Sequence, residues 1–225
     1  MKKSDSKLDR WPDWSEKALQ GLAFWIGHRH ALYRHHPLSE GALVAEACNL
    51  IHANLDSGER LHCEVQYSDL VPTGTWPPEL GPRSRADLVI VREAPAPAAH
   101  RSLVDQVVAV IEVKRAAAPR SQIDYDLKRL AILKVANLKV RALLFVIAEA
   151  HRPKRFVVPE GRAILGKQSI IGVDAHYRVR RACKAAAAFS GKETAHYACI
   201  VEVFSDLWLQ YYQRYRRDLL GEPNY

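Results

Sequence analysis

Cysteine is scarce in this chain, which has four among 225 residues: Cys48, Cys63, Cys183 and Cys199. None of them belongs to a C-x-x-C pair, and their wide spacing fits neither a zinc ribbon nor the framework of a small disulfide-stapled domain. The sequence therefore favours neither class of protein. We expect the thiols to stay reduced, as in a cytoplasmic protein.

Long apolar runs are also missing. No window approaches the run of about 18 apolar residues that a membrane-spanning helix needs, and the basic N-terminal segment MKKSDSKLDRWPDW lacks the apolar core of a signal peptide. The chain contains no G-x-S-x-G motif, and no serine or cysteine stands in a recognisable nucleophile context. We therefore expect a soluble, cytoplasmic protein without a membrane partner, and we find no support for covalent hydrolase chemistry.

The overall composition favours one globular domain with an anionic partner. Hydrophobic residues make up 48% of the chain, enough for a sizeable core. The formal net charge is +8, and residues 151–225 carry 13 Lys and Arg against 7 Asp and Glu. A basic surface of this kind favours nucleic acid as a partner, and it predicts that much of the basic charge lies in the C-terminal third.

Hydrophobic periodicity predicts an α/β fold. Helical spacing runs through 15–34, and after Pro37 it resumes over 38–58 with Ser39 as the N-cap. The segments that follow are expected to be strands at 61–71, 86–93 and 103–114, a helix at 121–137 and a buried strand at 140–150. That order predicts a mixed sheet covered by helices. Beyond residue 151 the pattern favours short strands or helices, and a last helix near the C-terminus.

The expected strand VVAVIEVK carries a charged pair near its end. Glu112 and Lys114 are two residues apart, so their side chains project from the same face. Burying both charges is costly, which favours an electrostatic purpose, although a pair exposed at a strand end is an equally good interpretation of these two residues. Asp87 opens the neighbouring strand ADLVIV. Two carboxylates near a lysine favour a Mg²⁺ site over a zinc site.

Glu40 is the candidate for a third carboxylate. It lies in the first turn of the second helix, close to the face that we expect to be buried, and Glu46 lies on nearly the same face. The alternative is that Glu40 is an ordinary acidic residue that stabilises the helix dipole.

Four segments in this order resemble the PD-(D/E)XK nuclease superfamily, which has the restriction-endonuclease-like fold: SEGALV, ADLVIV, VIEVKR and YDLKRLAIL. SEGALV is similar to the Glu-x-x-Leu-Val helix of the Holliday-junction resolvases in that superfamily. Ala86 stands where the family motif has proline. The resemblance covers 38–150 as a nuclease-like core. It leaves 1–37 as a helical lead and 151–225 as a basic C-terminal extension packed on the core, within one domain.

The resemblance implies a Mg²⁺-dependent nuclease, with Mn²⁺ as a substitute ion, that hydrolyses phosphodiester bonds of DNA. Asp87 and Glu112 would be the metal ligands, and Glu40, or Glu46 in its place, would complete the site. Lys114 would position or deprotonate the attacking water, and a lysine beside a dication should have a lowered pKa. A homodimer or a larger DNA-processing complex is compatible with this activity.

Several further residues are candidates for nucleic-acid binding: Arg83, Arg85, Gln122, Lys128 and Arg129. The first two precede Asp87, and the others lie on or beside the helix after Lys114. The alternative for the helical residues is a solvated helix face. Trp76 can stack on a base or anchor its proline-rich loop.

There are three alternatives, and the last two are the weaker ones. The chain can be a non-catalytic nucleic-acid-binding module, or a subunit of a DNA-processing or defence complex. The segment GRAILGKQS resembles a phosphate-binding loop, which would indicate an NTPase using Lys167, but Gln168 replaces the hydroxyl residue. A zinc site is conceivable at His28, His30, His35 and His36, but no cysteine completes it.

Overall fold

Seven strands build one mixed sheet between two layers of helices. The computed structural model describes residues 11–33, 36, 38–93, 102–185 and 195–205. The helices are α1 (Asp13–Leu32), α2 (Glu40–His52), α3 (Leu103–Gln106) and α4 (Arg120–Ala136). The strands are β1 (Glu59–Gln66), β2 (Arg85–Arg92), β3 (Val107–Arg115), β4 (Arg141–Ala148), β5 (Gln168–Ser169), β6 (Ala175–Ala185) and β7 (His196–Ser205).

The strand order in the sheet is β1-β2-β3-β4-β7-β6-β5. All neighbours are antiparallel except β3 and β4, which run parallel with Glu112 opposite Leu144 and Lys114 opposite Val146. Parallel neighbours need a crossover, and α4 supplies it. The carboxyl ends of β3 and β4 therefore share one edge of the sheet with the amino end of β2, and this edge carries the charged residues described below.

The two faces of the sheet are covered by different helices. Helices α1 and α2 pack on one face and α4 packs on the other. Successive strand residues point to opposite faces, so Leu88 and Ile111 pack with α1 and α2, whereas Val89 and Val110 pack with α4. Because both faces are covered, the central strands are almost continuously apolar, and the position of Glu112 in such a strand places a carboxylate in the interior.

The structure confirms the α/β fold class with its mixed sheet and flanking helices. It also confirms the Ser39 cap, whose hydroxyl accepts the N–H of Ala42 at 3.2 Å. Two strand limits differ from the sequence prediction by more than two residues. Strand β1 ends at Gln66, where a 3₁₀ turn over Tyr67–Asp69 begins, and residues 103–106 form α3 rather than the start of a strand. The predicted last helix lies outside the described residues, as does His35 of the histidine cluster.

The described part of the C-terminal third contributes three strands to the sheet. Strand β7 lies between β4 and β6, so β5, β6 and β7 extend the sheet beyond β4. Some of its basic charge is directed inward. Glu202, which is 6% exposed, is paired with Arg141 at 3.1 Å, Arg178 at 3.6 Å and also Arg180.

The structure contradicts the NTPase alternative. A phosphate-binding loop leads into a helix, whose N-terminal N–H groups face the phosphate. Residues 161–167 lead instead into β5, which pairs with β6. The resemblance of GRAILGKQS to such a loop is therefore a chance match.

Among the residues that the structure describes, no helix is both long enough and apolar enough to cross a membrane.

Candidate active site

Asp87 and Glu112 meet where β2 and β3 separate. The ladder between these strands ends with Leu88 paired to Ile111, and Asp87 and Glu112 are the next residue of each strand. The Asp87 carboxylate accepts the backbone N–H of Val113 at 2.7 Å. A side-chain oxygen thus takes the place that a strand carbonyl would fill, which fixes the carboxylate at the sheet edge.

Glu112 is almost fully enclosed. The side chain is 1% exposed, and its Oε1 accepts the hydroxyl of Tyr67 at 2.5 Å and lies 3.1 Å from a terminal nitrogen of Arg129. The Tyr67 ring stacks on Trp76 with centroids 4.5 Å apart, and the indole N–H of Trp76 donates to the Gly81 carbonyl at 3.3 Å. Trp76 therefore anchors its loop behind Tyr67. Of the two roles considered for Trp76, stacking on a base or anchoring the loop, the structure shows the second.

Lys114 bridges two helices. Its ammonium lies 2.7 Å from Glu40 at the start of α2 and 3.2 Å from Asp126 on α4. Asp126, which is 3% exposed, also contacts Arg129 at 2.5 Å. A continuous chain of charges therefore runs from Glu40 through Lys114, Asp126 and Arg129 to Glu112.

The cluster carries more negative than positive charge. Four carboxylates (Glu40, Asp87, Glu112 and Asp126) face two cations, Lys114 and Arg129. Burial, with the Asp87 charge beside it, raises the pKa of Glu112 well above its usual value. Burial likewise raises the pKa of Asp87, and the Val113 N–H offsets part of that rise. The carboxyl groups of Asp87 and Glu112 therefore favour a bound proton, or a metal cation in place of that proton.

The lowered pKa expected for Lys114 beside a dication stays a prediction, and the protein groups around the lysine act in the opposite direction. Burial lowers this pKa, but the hydrogen bond that the ammonium donates to Glu40 and the charges of Glu40 and Asp126 outweigh burial and raise it above its usual value. Glu40 contributes the largest part of this rise, and Asp126, which the sequence did not reveal as a partner, adds to it. A lysine with a raised pKa is an ammonium at neutral pH, so it is suited to donating hydrogen bonds rather than to accepting a proton.

The structure brings Asp87, Glu112 and Lys114 together and places Glu40 on Lys114. Among the described residues, no group of three or more His, Cys, Asp or Glu side chains is arranged to hold a metal ion. Glu46 is absent from the residues that line the cleft beside Glu40. At 3.6 residues per turn, it lies about a third of a turn from Glu40 around the α2 axis. A third ligand from Glu40 or Glu46 stays a prediction.

The candidates for nucleic-acid contact are placed differently from one another. Arg83, Arg85 and Gln122 are exposed, and Lys128 is partly exposed. Arg129 does not lie on a solvated helix face: its guanidinium turns inward to Glu112 and Asp126 and lies over the rings of Tyr67 and Tyr125. It is therefore placed to hold a carboxylate rather than a phosphate.

Sequence reasoning missed three residues: Tyr67, Asp126 and Glu64. Asp126 had a usable signal, because it lies three residues after Ile123 and four before Leu130, on the face of α4 that packs on the sheet. Tyr67 had none, because it reaches Glu112 from a turn outside the strand. Glu64 lies beside Asp87 in the register of β1 and β2, with a left-handed φ of 56°. It lines a cleft of about 590 Å³ together with Glu40 and Asp87.

Two cysteines from different elements face each other in that cleft. All four cysteines are free thiols, and the Sγ atoms of Cys48 on α2 and Cys63 on β1 lie 3.6 Å apart. Their separation along the chain gave no hint of this proximity. Burial, reinforced by the contact with Cys48, raises the pKa of Cys63 to about 11.

Incubation with a small-molecule disulfide is expected to join Cys48 and Cys63, because the two sulfur atoms need to approach only to the bonding distance of about 2.05 Å. The attacking species is the thiolate, so the bond should form faster at about pH 9 than at about pH 7. Mass spectrometry of peptides after thiol blocking measures it, with Cys63→Ser as the control. A missing Cys48–Cys63 peptide at both pH values would contradict the prediction.

No family model, no curated protein and no solved structure matches the chain. The resemblance to the PD-(D/E)XK superfamily therefore stays a prediction, and the chemistry of the site is inferred from its own residues and distances.

Proposed function

We propose that the chain is a Mg²⁺-dependent nuclease that hydrolyses phosphodiester bonds of DNA. The observation that supports this proposal most is the meeting of Asp87 and Glu112 at the point where β2 and β3 separate, next to an ammonium fixed by Glu40 and Asp126. The net charge of +8 supports a polyanionic substrate. We assign the activity to the cytoplasm because the few, widely spaced cysteines of the sequence fit a reducing compartment.

The carboxylate pair fits a magnesium ion. Mg²⁺ is commonly held by one or two carboxylates, with water and substrate phosphate filling the remaining positions, so Asp87 and Glu112 suffice without a third protein ligand. The excess negative charge of the cluster and the raised pKa values of both carboxyls favour a divalent cation over a bare pair. Bound there, the ion would polarise the phosphate and lower the pKa of a water molecule, and Mn²⁺ can do the same.

The protein's own side chains have separate tasks in this scheme. Lys114, held as an ammonium by Glu40 and Asp126, donates to an oxygen of the scissile phosphate and stabilises the negative charge that develops there. Tyr67 and Arg129 hold the Glu112 carboxylate in place. Asp126 links the two cations, so it orients Lys114 and Arg129 without touching the substrate.

One observation favours a second candidate, a nucleic-acid-binding module that does not cut. Glu112 is 1% exposed and its Oε1 is already occupied by Tyr67 and Arg129. A carboxylate that already has a hydrogen-bond donor and a positively charged partner is stabilised without a metal ion. An affinity for nucleic acid that falls steeply with salt and is unchanged by Mg²⁺ or EDTA would indicate this function.

A substrate panel tests the proposal. The purified chain is incubated with supercoiled plasmid, linear duplex, single-stranded DNA and RNA, each with Mg²⁺, Mn²⁺ or EDTA. We expect cutting of DNA in either metal and none in EDTA. Salt-sensitive binding without cutting in every metal would reject the nuclease and favour the binding module.

Mg²⁺ is expected to raise the Tm, and to raise it more as the pH increases. The folded-state pKa values of Asp87 and Glu112 lie above their unfolded values. Without metal, the stability due to these carboxyls is therefore full below about pH 4 and is lost as the pH rises through the raised pKa values. A metal ion replaces the retained proton, so its effect on Tm grows over the same range.

Scanning calorimetry from about pH 5 to about pH 8, with Mg²⁺ or EDTA, measures this difference. Asp87→Asn is the control, because it should abolish the Mg²⁺-dependent part of the Tm shift. A Tm shift that is independent of pH, or equal in the variant, would show that the ion binds elsewhere.

A further inference from the structure

A second cavity lies at the same edge of the sheet, on the side of β4. Its volume is about 490 Å³, and residues at and just after the carboxyl ends of β3 and β4 line its wall. Its polar and charged lining residues are His30, Arg115, Glu149, His151, Arg152 and Lys154. None of these residues lines the cleft between α2 and β1.

The cavity is basic, and its charges are available to a ligand. Three cations face one carboxylate, Glu149. Among the described residues, Arg115 and Lys154 form no ion pair. Arg152 donates from its guanidinium to the Val157 carbonyl at 2.7 Å, which fixes that side chain without neutralising it. An anion is the complement of such a lining, and a phosphate group accepts hydrogen bonds from both arginine and lysine.

The wall of the cavity contains a strained turn. Ala150 has a left-handed φ of 59°, which is unusual for a residue other than glycine. The N–H of His151 donates to the Glu149 carbonyl at 2.7 Å across this residue, and the N–H of Ala150 donates to Nδ1 of the buried His196 at 3.1 Å. Strained three-residue turns persist where surrounding contacts enforce them, and they concentrate at functional sites.

The cavity is close to the proposed cutting site. Arg115 follows Lys114 directly at the carboxyl end of β3, and the two residues after it also line the cavity. The opposite side of Lys114 carries the carboxylates of Glu40, Glu64 and Asp87. Positive charge therefore lies on the β4 side of the site and negative charge on the β1 side.

We propose that this cavity binds a phosphate group of the substrate strand within one or two nucleotides of the cleaved bond, through Arg115 and Lys154. The inference rests on the proposed nuclease function and adds the direction in which the strand leaves the site, toward β4. The group is either an internal diester or a terminal monoester, which present the same oxygen chemistry. Such a contact positions the strand and carries no sequence information.

The test compares Arg115→Ala plus Lys154→Ala with a matched control, Lys17→Ala plus Lys139→Ala. The control lysines are exposed: Lys17 lies near the start of α1, and Lys139 precedes β4 at the opposite edge of the sheet. Binding of a labelled single-stranded oligonucleotide is followed by fluorescence anisotropy in Ca²⁺ or EDTA, from about 50 to about 200 mM salt. Calorimetry of each variant checks that the fold is kept.

Each lost phosphate contact lowers the salt slope for single strands by about 0.7, so the double variant should lose about 1.4, equivalent to about 25-fold weaker binding at 0.1 M salt. The control should keep the wild-type slope. Arg115→Lys, which keeps the positive charge, should bind nearly as the wild type does. If Arg115→Ala plus Lys154→Ala keeps the wild-type slope and affinity, the inference is overturned.

Three probes separate the two sources of the phosphate: an oligonucleotide with a 5′-phosphate, the same one with a 5′-hydroxyl, and a single-stranded circle as competitor. A preference for the 5′-phosphate that vanishes in the double variant assigns the cavity to a terminal monoester. Equal competition by the circle assigns it to an internal diester.

If the wild type cuts DNA in Mg²⁺ but the double variant binds as the control does, only the cavity assignment fails. If the wild type binds no nucleic acid, the cavity assignment and the DNA substrate fail together.

Discussion

Lys114→Ala is expected to slow Mg²⁺-dependent cleavage by about 10²- to 10³-fold, the usual cost of losing one donor that stabilises developing charge. The ammonium is the only cation besides Arg129 in the cluster around Asp87 and Glu112, among the described residues, and Arg129 is committed to two carboxylates. Single-turnover cleavage of supercoiled plasmid measures the effect. Removing Lys114 also leaves Asp126 with one cation, so the free energy of unfolding is measured in parallel and can fall by up to about 3 kcal/mol.

Lys114→Arg separates two roles of the residue. Arginine keeps the positive charge and can pair with Glu40 and Asp126, but it cannot act as a base. If Lys114 works as an ammonium, as its raised pKa indicates, the arginine variant should cut faster than the alanine variant. Equal loss in both would favour a base, and wild-type rates in Lys114→Ala would show that the site is assigned wrongly. Lys139→Ala, at the opposite edge of the sheet, is the matched control.

Asp87→Asn is expected to abolish cleavage, by at least about 10³-fold, and to raise the Tm in EDTA. The asparagine carbonyl can still accept the Val113 N–H, and the substitution removes the charge that repels Glu112. For a domain of this size, each kcal/mol of added stability raises the Tm by about 2–4 °C. Residues of an active site often lower stability for the sake of function, so loss of activity together with a gain in stability distinguishes a functional carboxylate from a structural one.

Asp56→Asn is the control for that experiment, since Asp56 is an exposed carboxylate in the turn before β1. It should change neither the cleavage rate nor the Tm by a measurable amount. A lower Tm for Asp87→Asn in EDTA would indicate that Asp87 stabilises the fold as an anion, contrary to the raised pKa of its carboxyl.

The fold was accessible from the sequence because its central elements are periodic and long. The apolar run at 140–150 and the alternation in 86–93 correspond to β4 and β2, and the Ser39 cap located the start of α2. The position of β7 between β4 and β6 was not accessible, because strand order depends on long-range pairing that local periodicity does not encode. Tyr67–Asp69 continues an alternating pattern but turns away from the sheet.

The candidate site was only partly accessible for the same reason. Glu112 and Lys114 are recognisable from the sequence as charged residues in an apolar strand. Asp87 is recognisable as the acidic residue at the start of a second apolar strand. Their partners come from elements that are far away in sequence: Tyr67 lies 45 residues before Glu112, and Glu40 lies 74 before Lys114. Asp126 adds to the rise in the Lys114 pKa, but the sequence presents it as one more polar residue on a helix. Electrostatic details of a site therefore follow from packing rather than from motif spacing.

The most direct test of the central claim is a Mg²⁺ titration in which metal binding and plasmid cleavage are measured in the same samples of wild type and Asp87→Asn. The account predicts that wild-type cleavage rises in parallel with occupancy of a site on the chain, and that both binding and cleavage are lost in the variant. Cleavage that persists in EDTA, or that is equal in Asp87→Asn, would contradict it.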